Sequence, residues 1–241
     1  MFEKLNGIVL NVVKYSDRNN IVHVYTNKHG LMSFAVPQGN TKGARMRNSM
    51  LMPLSLIEME ARLVPNRELA SMHDMRRTEQ LMTIYCDPVK SAVAMFMSEV
   101  LTHVIQEREE NAALYTYIYK SIQLLEHSSR GIANFHICFL FRLGVLLGIE
   151  PDVATYRPGY CFDMNEGQFV YQPKPGSRYL GPARAQAIVL LSRMRFDNLH
   201  LFKFNREQRN EVLDVILDYY KIHNSTLGTL RSPEILKQLF V

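Results

Sequence analysis

The sequence is poor in cysteine, and the few cysteines that it has lie far apart. They are Cys86, Cys138 and Cys161. An odd number at such spacing does not form a disulfide framework, which is typical of a reducing compartment. No pair has the C-x2-C spacing of a structural zinc site, so we expect no bound metal and no cofactor. Cys138 lies in an apolar stretch, which predicts a place in the core.

Long apolar runs are also missing. The most apolar one, at 137–149, is interrupted by Arg142 and is too short to cross a membrane. The first four residues lead directly into a strand-like pattern, with no apolar segment of a secretory signal. We therefore expect a cytoplasmic protein without membrane contacts.

Motifs of the common enzyme classes are absent from the sequence. There is no G-x4-G-K-[ST] phosphate loop, no G-x-G-x-x-G after a strand, no G-x-S-x-G and no H-E-x-x-H. The eight histidines are scattered, and no two stand four residues apart. We expect no catalytic residue and no enzymatic activity, since a hydrolase or a transferase would need such a constellation.

Five strand-like segments occupy the first 80 residues. They are rich in Val, Ile, Leu and Tyr, are bounded by turn residues, and span 7–15, 20–26, 31–36, 54–63 and 68–77. Turns are predicted at 17–20, 27–30 and 65–67, with Gly30 able to adopt a positive φ. Five short strands joined by hairpin-length links predict a small OB-fold-like barrel, a fold that binds nucleic acids.

From residue 81 the apolar pattern changes to a period of 3.6. Asp87 and Pro88 predict the start of a helix, because Asp is a good cap and Pro fits the first helical position. Further helices are predicted at 114–125 and 130–147, and the second is apolar on nearly every side, as expected of a central bundle helix. Gly148 is the predicted stop of that helix.

Proline and glycine interrupt residues 151–181, where the sequence predicts a small hairpin with strands at 159–163 and 168–171. Helices resume at 182–193, at 206–223 and in the tail from 232 to 240. The expected class is α+β. We predict a nucleic-acid-binding barrel domain over 1–80, followed by a helical bundle domain over 81–241 that contains an irregular insertion at about 150–181.

Charge is distributed unevenly along the chain. Residues 1–80 hold 11 Lys and Arg against 7 Asp and Glu, residues 81–150 hold 5 against 7, and residues 151–241 hold 12 against 9. Two basic ends around a mildly acidic middle favour an anionic partner for the ends. The alternative for any single cation is a solvated surface position.

One basic loop, at 37–49, is the strongest candidate for an anion site. We predict that its flexible backbone lets Lys42, Arg45 and Arg47 reach the phosphates of one strand. Weaker candidates are cations on nearby strand ends, namely Lys14, Arg18, Arg76 and Arg77. The aromatic residues that we expect to stack on bases are Tyr15, Tyr25 and Phe34.

Several short motifs are informative together with their order along the chain. They are Gly7-Ile8-Val9-Leu10, Lys14-Tyr15, Ile21-Val22, His29-Gly30, Gly43-Ala44-Arg45, Met52-Pro53-Leu54-Ser55-Leu56-Ile57-Glu58 and Leu227-Gly228-Thr229-Leu230-Arg231-Ser232. With their order and spacing over nearly the full length, they resemble the RecO family of bacterial DNA-repair recombination mediators.

The resemblance implies an OB-fold that binds single- and double-stranded DNA, and a helical region behind it. It implies annealing of complementary strands and loading of the RecA recombinase onto DNA coated by single-strand-binding protein. The implied partners are RecR, the acidic and apolar C-terminal tail of single-strand-binding protein and, indirectly, RecA. The implied location is the bacterial cytoplasm, in association with the nucleoid.

The chain departs from the family at one place. Many members have a four-cysteine zinc module after the central helix, whereas only Cys161 stands in that region here. We therefore expect the hairpin to be held by apolar packing instead, through Tyr160, Phe162, Phe169 and Tyr171.

A groove beside the apolar helix could bind the acidic tail of the partner. Arg142 is the cation within that helix, and Arg130 lies near its start, so both are candidates for partner binding. The alternative is that Arg142 pairs with a carboxylate of the bundle, such as Glu99. Two alternatives for the whole chain also stay open, an RNA-binding OB-fold protein and a non-enzymatic protein adaptor.

Overall fold

The computed structural model describes residues 2–39, 41–63 and 68–239. By their internal contacts these residues form two compact units, Met1–His127 and Ser128–Val241. The N-terminal unit contains all five predicted strands and the helices up to residue 127. The predicted turn at 65–67 and Phe240 of the predicted tail helix lie outside the described residues.

The N-terminal unit is built on a five-stranded closed barrel, which confirms the predicted class. Its strands are β1 (Phe2–Lys14), β2 (Asn19–Thr26), β3 (Gly30–Pro37), β4 (Leu56–Arg62) and β5 (Leu69–Arg77). They follow the order β1-β2-β3-β5-β4, and β4 closes onto β1. A register shift between Val9 and Asn11 marks a bulge in β1, the long strand that pairs with both β2 and β4.

Alternating apolar residues fill the interior of the barrel. Val22 and Val24 on β2 and Phe34 and Val36 on β3 belong to one buried cluster. Each such side chain contributes about 1.5–3 kcal/mol when it is fully buried. The composition of these segments therefore identified the strands, but it did not identify the core face of β3, because Phe34 of this cluster was expected to stack on bases.

The predicted loop at 37–49 is wrong over most of its length, because Lys42–Ser49 forms a helix, α1. The Thr41 side chain caps it by accepting a hydrogen bond from the Ala44 N–H at 3.2 Å. Lys, Ala, Arg and Met are good helix formers, and they outweigh the single Gly43 inside the helix. The cations of this segment are therefore held on a rigid element.

Three further helices complete the N-terminal unit: α2 (Met82–Cys86), α3 (Pro88–Val104) and α4 (Ala112–His127). The Asp87 carboxylate accepts hydrogen bonds from the N–H groups of Val89 and Lys90, at 2.8 and 3.2 Å, which confirms the predicted cap. Ser98 of α3 donates to the carbonyl of Leu10, so α3 lies on the outside of β1.

The C-terminal unit is arranged around α5 (Phe135–Leu146), the predicted central helix, which begins after a short 3₁₀ turn at Ile132–Asn134. Every residue from Phe135 to Phe141 is buried, including Cys138, as predicted. The other elements are β6 (Cys161–Asp163), β7 (Gln168–Val170), β8 (Tyr179–Leu180), α6 (Pro182–Ser192), α7 (Arg206–His223) and α8 (Ser232–Leu239). The hydroxyl of Tyr220 on α7 donates to the Leu140 carbonyl at 2.6 Å.

Aromatic packing holds the small hairpin of β6 and β7, as predicted. The rings of Phe162 and Phe169 are 5.0 Å apart, and those of Tyr160 and Tyr171 are 5.9 Å apart. Phe162 also contacts Tyr219 of α7 at 5.7 Å, which ties the hairpin to the helices. Tyr171 itself is 79% exposed, so it adds little to the buried part of this packing.

Among the described residues, no helix has both the length and the apolar character that a membrane crossing needs.

Candidate nucleic-acid interface

One end of the barrel brings together segments that are far apart in the chain. β1 ends at Lys14, and β3 ends at Pro37, which pairs with Asn19 at the start of β2. The N–H of Gln38 donates to the carbonyl of Arg18 at 2.7 Å. The connection that leads into α1 therefore starts beside the turn between β1 and β2. We call this region, with Lys14, Arg18, α1 and Arg77, the basic end.

The three cations of α1 are not equivalent. Lys42 and Arg45 are exposed and lie three residues apart, which places them on one face of the helix. Arg47 is half-buried, and its guanidinium donates to the carbonyl of Pro37 at 3.1 Å. Arg47 therefore ties α1 to the end of β3, while Lys42 and Arg45 face solvent.

The cations at the strand ends also differ from one another in their contacts. Arg77 donates to the carbonyl of Ser49 at the end of α1, so it belongs to the basic end. Arg76 instead pairs with Glu58, its register partner on β4, at 2.8 Å. Lys14 contacts Asp17 at 3.5 Å, but both side chains are largely exposed, so this pair contributes little.

Carboxylates are absent from a long part of the sequence around this end. Between Asp17 and Glu58 there are five Lys and Arg residues and no Asp or Glu. Arg18, Lys42, Arg45 and Arg47 of this stretch lie in the basic end. Asp17, beside Lys14, is the carboxylate at the edge of this stretch. An excess of cations produces a positive potential, which attracts a polyanion and raises its rate of association.

Two of the three predicted stacking residues are wrong. Tyr25 and Phe34 are 0% exposed, so neither can contact a base. Phe34 points into the barrel core, and Tyr25 is covered by Tyr115 of α4, at a ring distance of 6.2 Å. Tyr15 is 67% exposed and follows directly on β1, beside Lys14. A base can therefore reach the Tyr15 ring.

The sequence did not predict the residues that fix the backbone conformation of the basic end. Thr41 caps α1, and the Gln38 side chain donates to that of Asn20 across the β2–β3 end. The Thr41 cap had a readable signal, a Thr just before a run of helix formers. The contact of Gln38 had none, because it depends on strand register.

The two predicted partner-binding cations lie in the C-terminal unit. Arg142 donates to the carbonyl of Met194 from two nitrogens, at 2.7 and 3.1 Å, and to that of Ser192 at 2.7 Å. Arg142 therefore binds the carbonyl groups at the end of α6. The alternative given by the sequence was a carboxylate of the bundle. Arg130 is exposed.

Within 2–39, 41–63 and 68–239, no group of three or more His, Cys, Asp or Glu residues is arranged to hold a metal ion. Cys161 is half-buried and Cys86 is exposed. Burial raises the pKa of the Cys138 thiol to about 12, so this thiol is unreactive. The expectation of a metal-free protein stays a prediction.

Family models and related proteins match this chain over nearly its whole length. Residues 1–80 match the family model described as "Recombination protein O N terminal", and residues 86–227 match "Recombination protein O C terminal". A "DNA repair protein RecO" of Bacteroides fragilis is 38% identical over 241 residues, with full coverage of both chains.

Two other relatives with the same name are similarly complete. The protein of Phocaeicola vulgatus is 36% identical over 240 residues, with 100% of both chains covered. That of Porphyromonas gingivalis is 32% identical over 239 residues and covers 97% of each chain. Two family models in the right order, together with relatives of this identity and coverage, lead to one conclusion: the chain belongs to the RecO family.

Proposed function

We propose that this protein is a DNA-repair and recombination mediator that binds DNA at the basic end of its barrel. The observation that carries the proposal is that the exposed cations Lys42 and Arg45 lie on one face of α1, a helix that Arg77 contacts at its end, beside an OB-fold-like barrel. OB-folds bind oligonucleotides with one sheet face and the loops beside it, including the β1–β2 loop. The curated relatives, named DNA repair proteins, support the choice of DNA.

The chemistry of the basic end fits both single- and double-stranded DNA. Lys and Arg side chains contact phosphates, which are the same in every sequence, so binding is independent of base sequence. Tyr15 adds a ring on which an unpaired base can stack, and such stacking contributes about 1–3 kcal/mol per base. A protein that holds both forms of DNA can bring complementary strands together, which supports annealing.

Family membership supports a proposal on the finer functions. We propose that the chain anneals complementary strands and helps to load RecA onto DNA coated by single-strand-binding protein, with RecR as a further partner. For the acidic tail of single-strand-binding protein we propose the surface that contains Arg142 and Arg130. A carboxylate needs a cation at the rim of its site, and these two provide one on the C-terminal unit.

A salt titration tests the DNA site. Lys42→Ala/Arg45→Ala/Arg47→Ala should bind single-stranded DNA more weakly, to the same degree for different sequences. The slope of log K against log salt should flatten by roughly 0.7 for each lost phosphate contact. Since Arg47 also anchors α1, the double variant Lys42→Ala/Arg45→Ala separates lost contacts from a displaced helix. An unchanged slope in both variants would remove α1 from the site.

The control matched to the double variant is Lys4→Ala/Lys120→Ala, which likewise removes two positive charges, from exposed positions outside the basic end. Lys4 lies ten residues before Lys14 on β1, or roughly 33 Å away. This control should keep the wild-type slope.

Competition by RNA of the same sequence tests the alternative of an RNA-binding protein. This alternative predicts that RNA displaces the bound DNA at a lower concentration than competitor DNA does.

A further inference from the structure

An apolar side chain stands among the cations of α1. Met46 is 67% exposed and lies four residues after Lys42 and next to Arg45. Residues three and four apart share one face of a helix, so Lys42, Arg45 and Met46 are on the same face. Phosphates attract the two cations but offer nothing to the thioether of Met46.

The opposite face of α1 holds the helix on the barrel. Ala44 is 5% exposed, and Arg47, three residues later, donates to the carbonyl of Pro37 at 3.1 Å. Arg77 donates to the carbonyl of Ser49 at the other end of the helix. These contacts fix the orientation of α1 and keep its cationic face turned to solvent.

Further exposed apolar side chains surround this face. Nine large apolar side chains are exposed among the described residues of the N-terminal unit, and five of them belong to α1 or lie within three residues of α1 or Lys14. These five are Val12, Val13, Tyr15, Met46 and Met52. Apolar side chains scattered singly over a surface are normal, whereas a group of them marks an interaction site.

These side chains are exposed because β1 extends beyond β4. Pairing of β4 with β1 reaches Ile8, and the N–H of Leu54 then donates to the Val9 carbonyl at 2.7 Å. Beyond this point and up to Lys14, β2 is the one described strand that pairs with β1. Met52 stands two residues before Leu54, so the chain reaches the open edge of β1 directly after α1.

Single-stranded nucleic acid has both kinds of group that such a surface can hold. Each nucleotide carries a phosphate for a cation and, when the base is unpaired, a flat base face that is free to stack. The thioether of Met46 is flexible and polarizable, and a sulfur atom makes favourable contacts with aromatic rings. In a duplex the bases stack on one another and only their edges reach the grooves, so Met46 finds no base face there.

We propose that Met46 packs against the face of an unpaired base while Lys42 and Arg45 hold phosphates of the same strand. Met46 is then a specificity residue, which gives the basic end a preference for single-stranded over double-stranded DNA. This role of Met46 rests on the proposed DNA-binding function and adds the part of the ligand that phosphate contacts do not distinguish.

Methyl NMR on the full chain tests the contact. The reporter is the methyl signal of Met46, assigned with Met46→Leu, and the probe is a GC-rich single-stranded DNA decamer without self-complementarity. The decamer should shift this signal in a saturable manner, because the ring of a bound base changes the magnetic environment of the methyl group. A decamer of abasic nucleotides has the same phosphates and should produce a much smaller shift. Equal shifts with both decamers would overturn the proposal.

Affinity for the two forms of DNA tests the preference. Met46→Ala keeps a good helix former in α1 and should bind the single-stranded decamer about fivefold more weakly, since the apolar contact is lost. Its affinity for the blunt duplex of the same decamer should be unchanged. Met46→Leu retains an apolar side chain of similar size and should bind single strands like the wild type. Wild-type affinity of Met46→Ala for the single strand, or an equal loss on the duplex, would contradict the proposal.

The matched control is Leu124→Ala, which removes an exposed apolar side chain from α4. It should bind both forms of DNA like the wild type, and a loss equal to that of Met46→Ala would count against a specific contact. An acidic peptide with apolar side chains, Glu-Asp-Leu-Phe, tests a protein ligand instead. If this peptide shifts the Met46 signal and the decamer does not, the surface binds protein and the proposal is wrong.

Salt dependence separates this base contact from the DNA site on which it rests. Met46→Ala removes no charge, so the slope of log K against log salt should match the wild type, whereas Lys42→Ala/Arg45→Ala should flatten it. A flattened slope in the double variant, together with wild-type binding by Met46→Ala, would refute the base contact alone. An unchanged slope in the double variant, together with unchanged affinity in Met46→Ala, would remove α1 from the DNA site altogether.

Discussion

The carboxylate of Glu126 accepts a hydrogen bond from the main-chain N–H of Ile84 at 2.9 Å, although the two residues are 42 positions apart. Its other oxygen accepts from the N–H of Thr83 at 2.8 Å. Leu81, at the start of α2, provides no side-chain cap, so α4 supplies it. The buried ammonium of Lys90 donates to the carbonyl of Glu126 at 2.6 Å. These bonds join α2, α3 and α4.

Glu126→Gln should destabilise the N-terminal unit. The glutamine side chain has one acceptor oxygen where glutamate has two. Its NH₂ group is a donor and cannot accept from a main-chain N–H, so one of the two N–H groups loses its partner. We expect the free energy of unfolding in urea to fall by about 1–3 kcal/mol. The exposed control Glu110→Gln should stay within about 0.5 kcal/mol of the wild type. A loss of the same size in both would argue against the capping role.

The same residue predicts an acid dependence of stability. Burial raises the pKa of Glu126, but the hydrogen bonds from Thr83 and Ile84 and the charge of Lys90 lower it more, so its pKa falls below 4.5. A lowered pKa in the folded state stabilises the protein above the unfolded pKa, and this stabilisation is lost as pH falls through the folded pKa. Between about pH 5 and pH 3 the wild type should therefore lose stability more steeply than Glu126→Gln. Identical pH profiles would contradict this assignment.

Arg142→Ala should change both stability and partner binding. It removes the donors from the carbonyls of Ser192 and Met194, which should lower the free energy of unfolding by about 1–3 kcal/mol. If Arg142 also contacts a carboxylate of the partner, a labelled tail peptide of single-strand-binding protein should bind roughly tenfold more weakly.

Arg130→Ala is the matched variant, because Arg130 is exposed. It should weaken binding of the tail peptide without changing the circular dichroism or the unfolding midpoint. If Arg142→Ala folds and binds the peptide as tightly as the wild type, the tail site lies elsewhere.

Metal analysis tests the zinc prediction. One cysteine near the hairpin cannot supply a tetrahedral ligand set, so the purified protein should contain no stoichiometric zinc. Cys161→Ser should fold normally, since the hairpin depends on the contact between Phe162 and Phe169. One zinc per chain, lost in Cys161→Ser, would instead mean that His or Asp ligands complete a site. Phe162→Ala serves as the destabilising control.

The sequence predicted the strands and helices well because their apolar periods are strong. It failed at α1, where Pro37, Gly39 and Gly43 suggested a loop, while the decisive feature was the Thr41 cap on a run of helix formers. The start of α5 was placed five residues too early, because Ile132 and Ala133 of the 3₁₀ turn continue the apolar pattern of the helix.

The sequence predicted which residues could belong to the candidate site, but it did not predict how they are arranged. The sequence identifies Lys42 and Arg45 as cations, but the pairing of Arg76 with Glu58 depends on the register of β4 and β5. Likewise, Tyr15 and Tyr25 are both aromatic residues near strand ends. The packing of α4 against the barrel decides that Tyr25 is buried, and no local pattern shows it.

The length of β1 has an electrostatic consequence. From Asn6, which receives the N–H of Asn27 from the β2–β3 hairpin, to Lys14 the strand covers eight residues, or roughly 26 Å. This exceeds the Debye length of about 10 Å at 0.1 M salt. Charges beside Asn6 therefore contribute little to the potential at Lys14. The length of this one strand lets the two ends of β1 carry charge independently of each other.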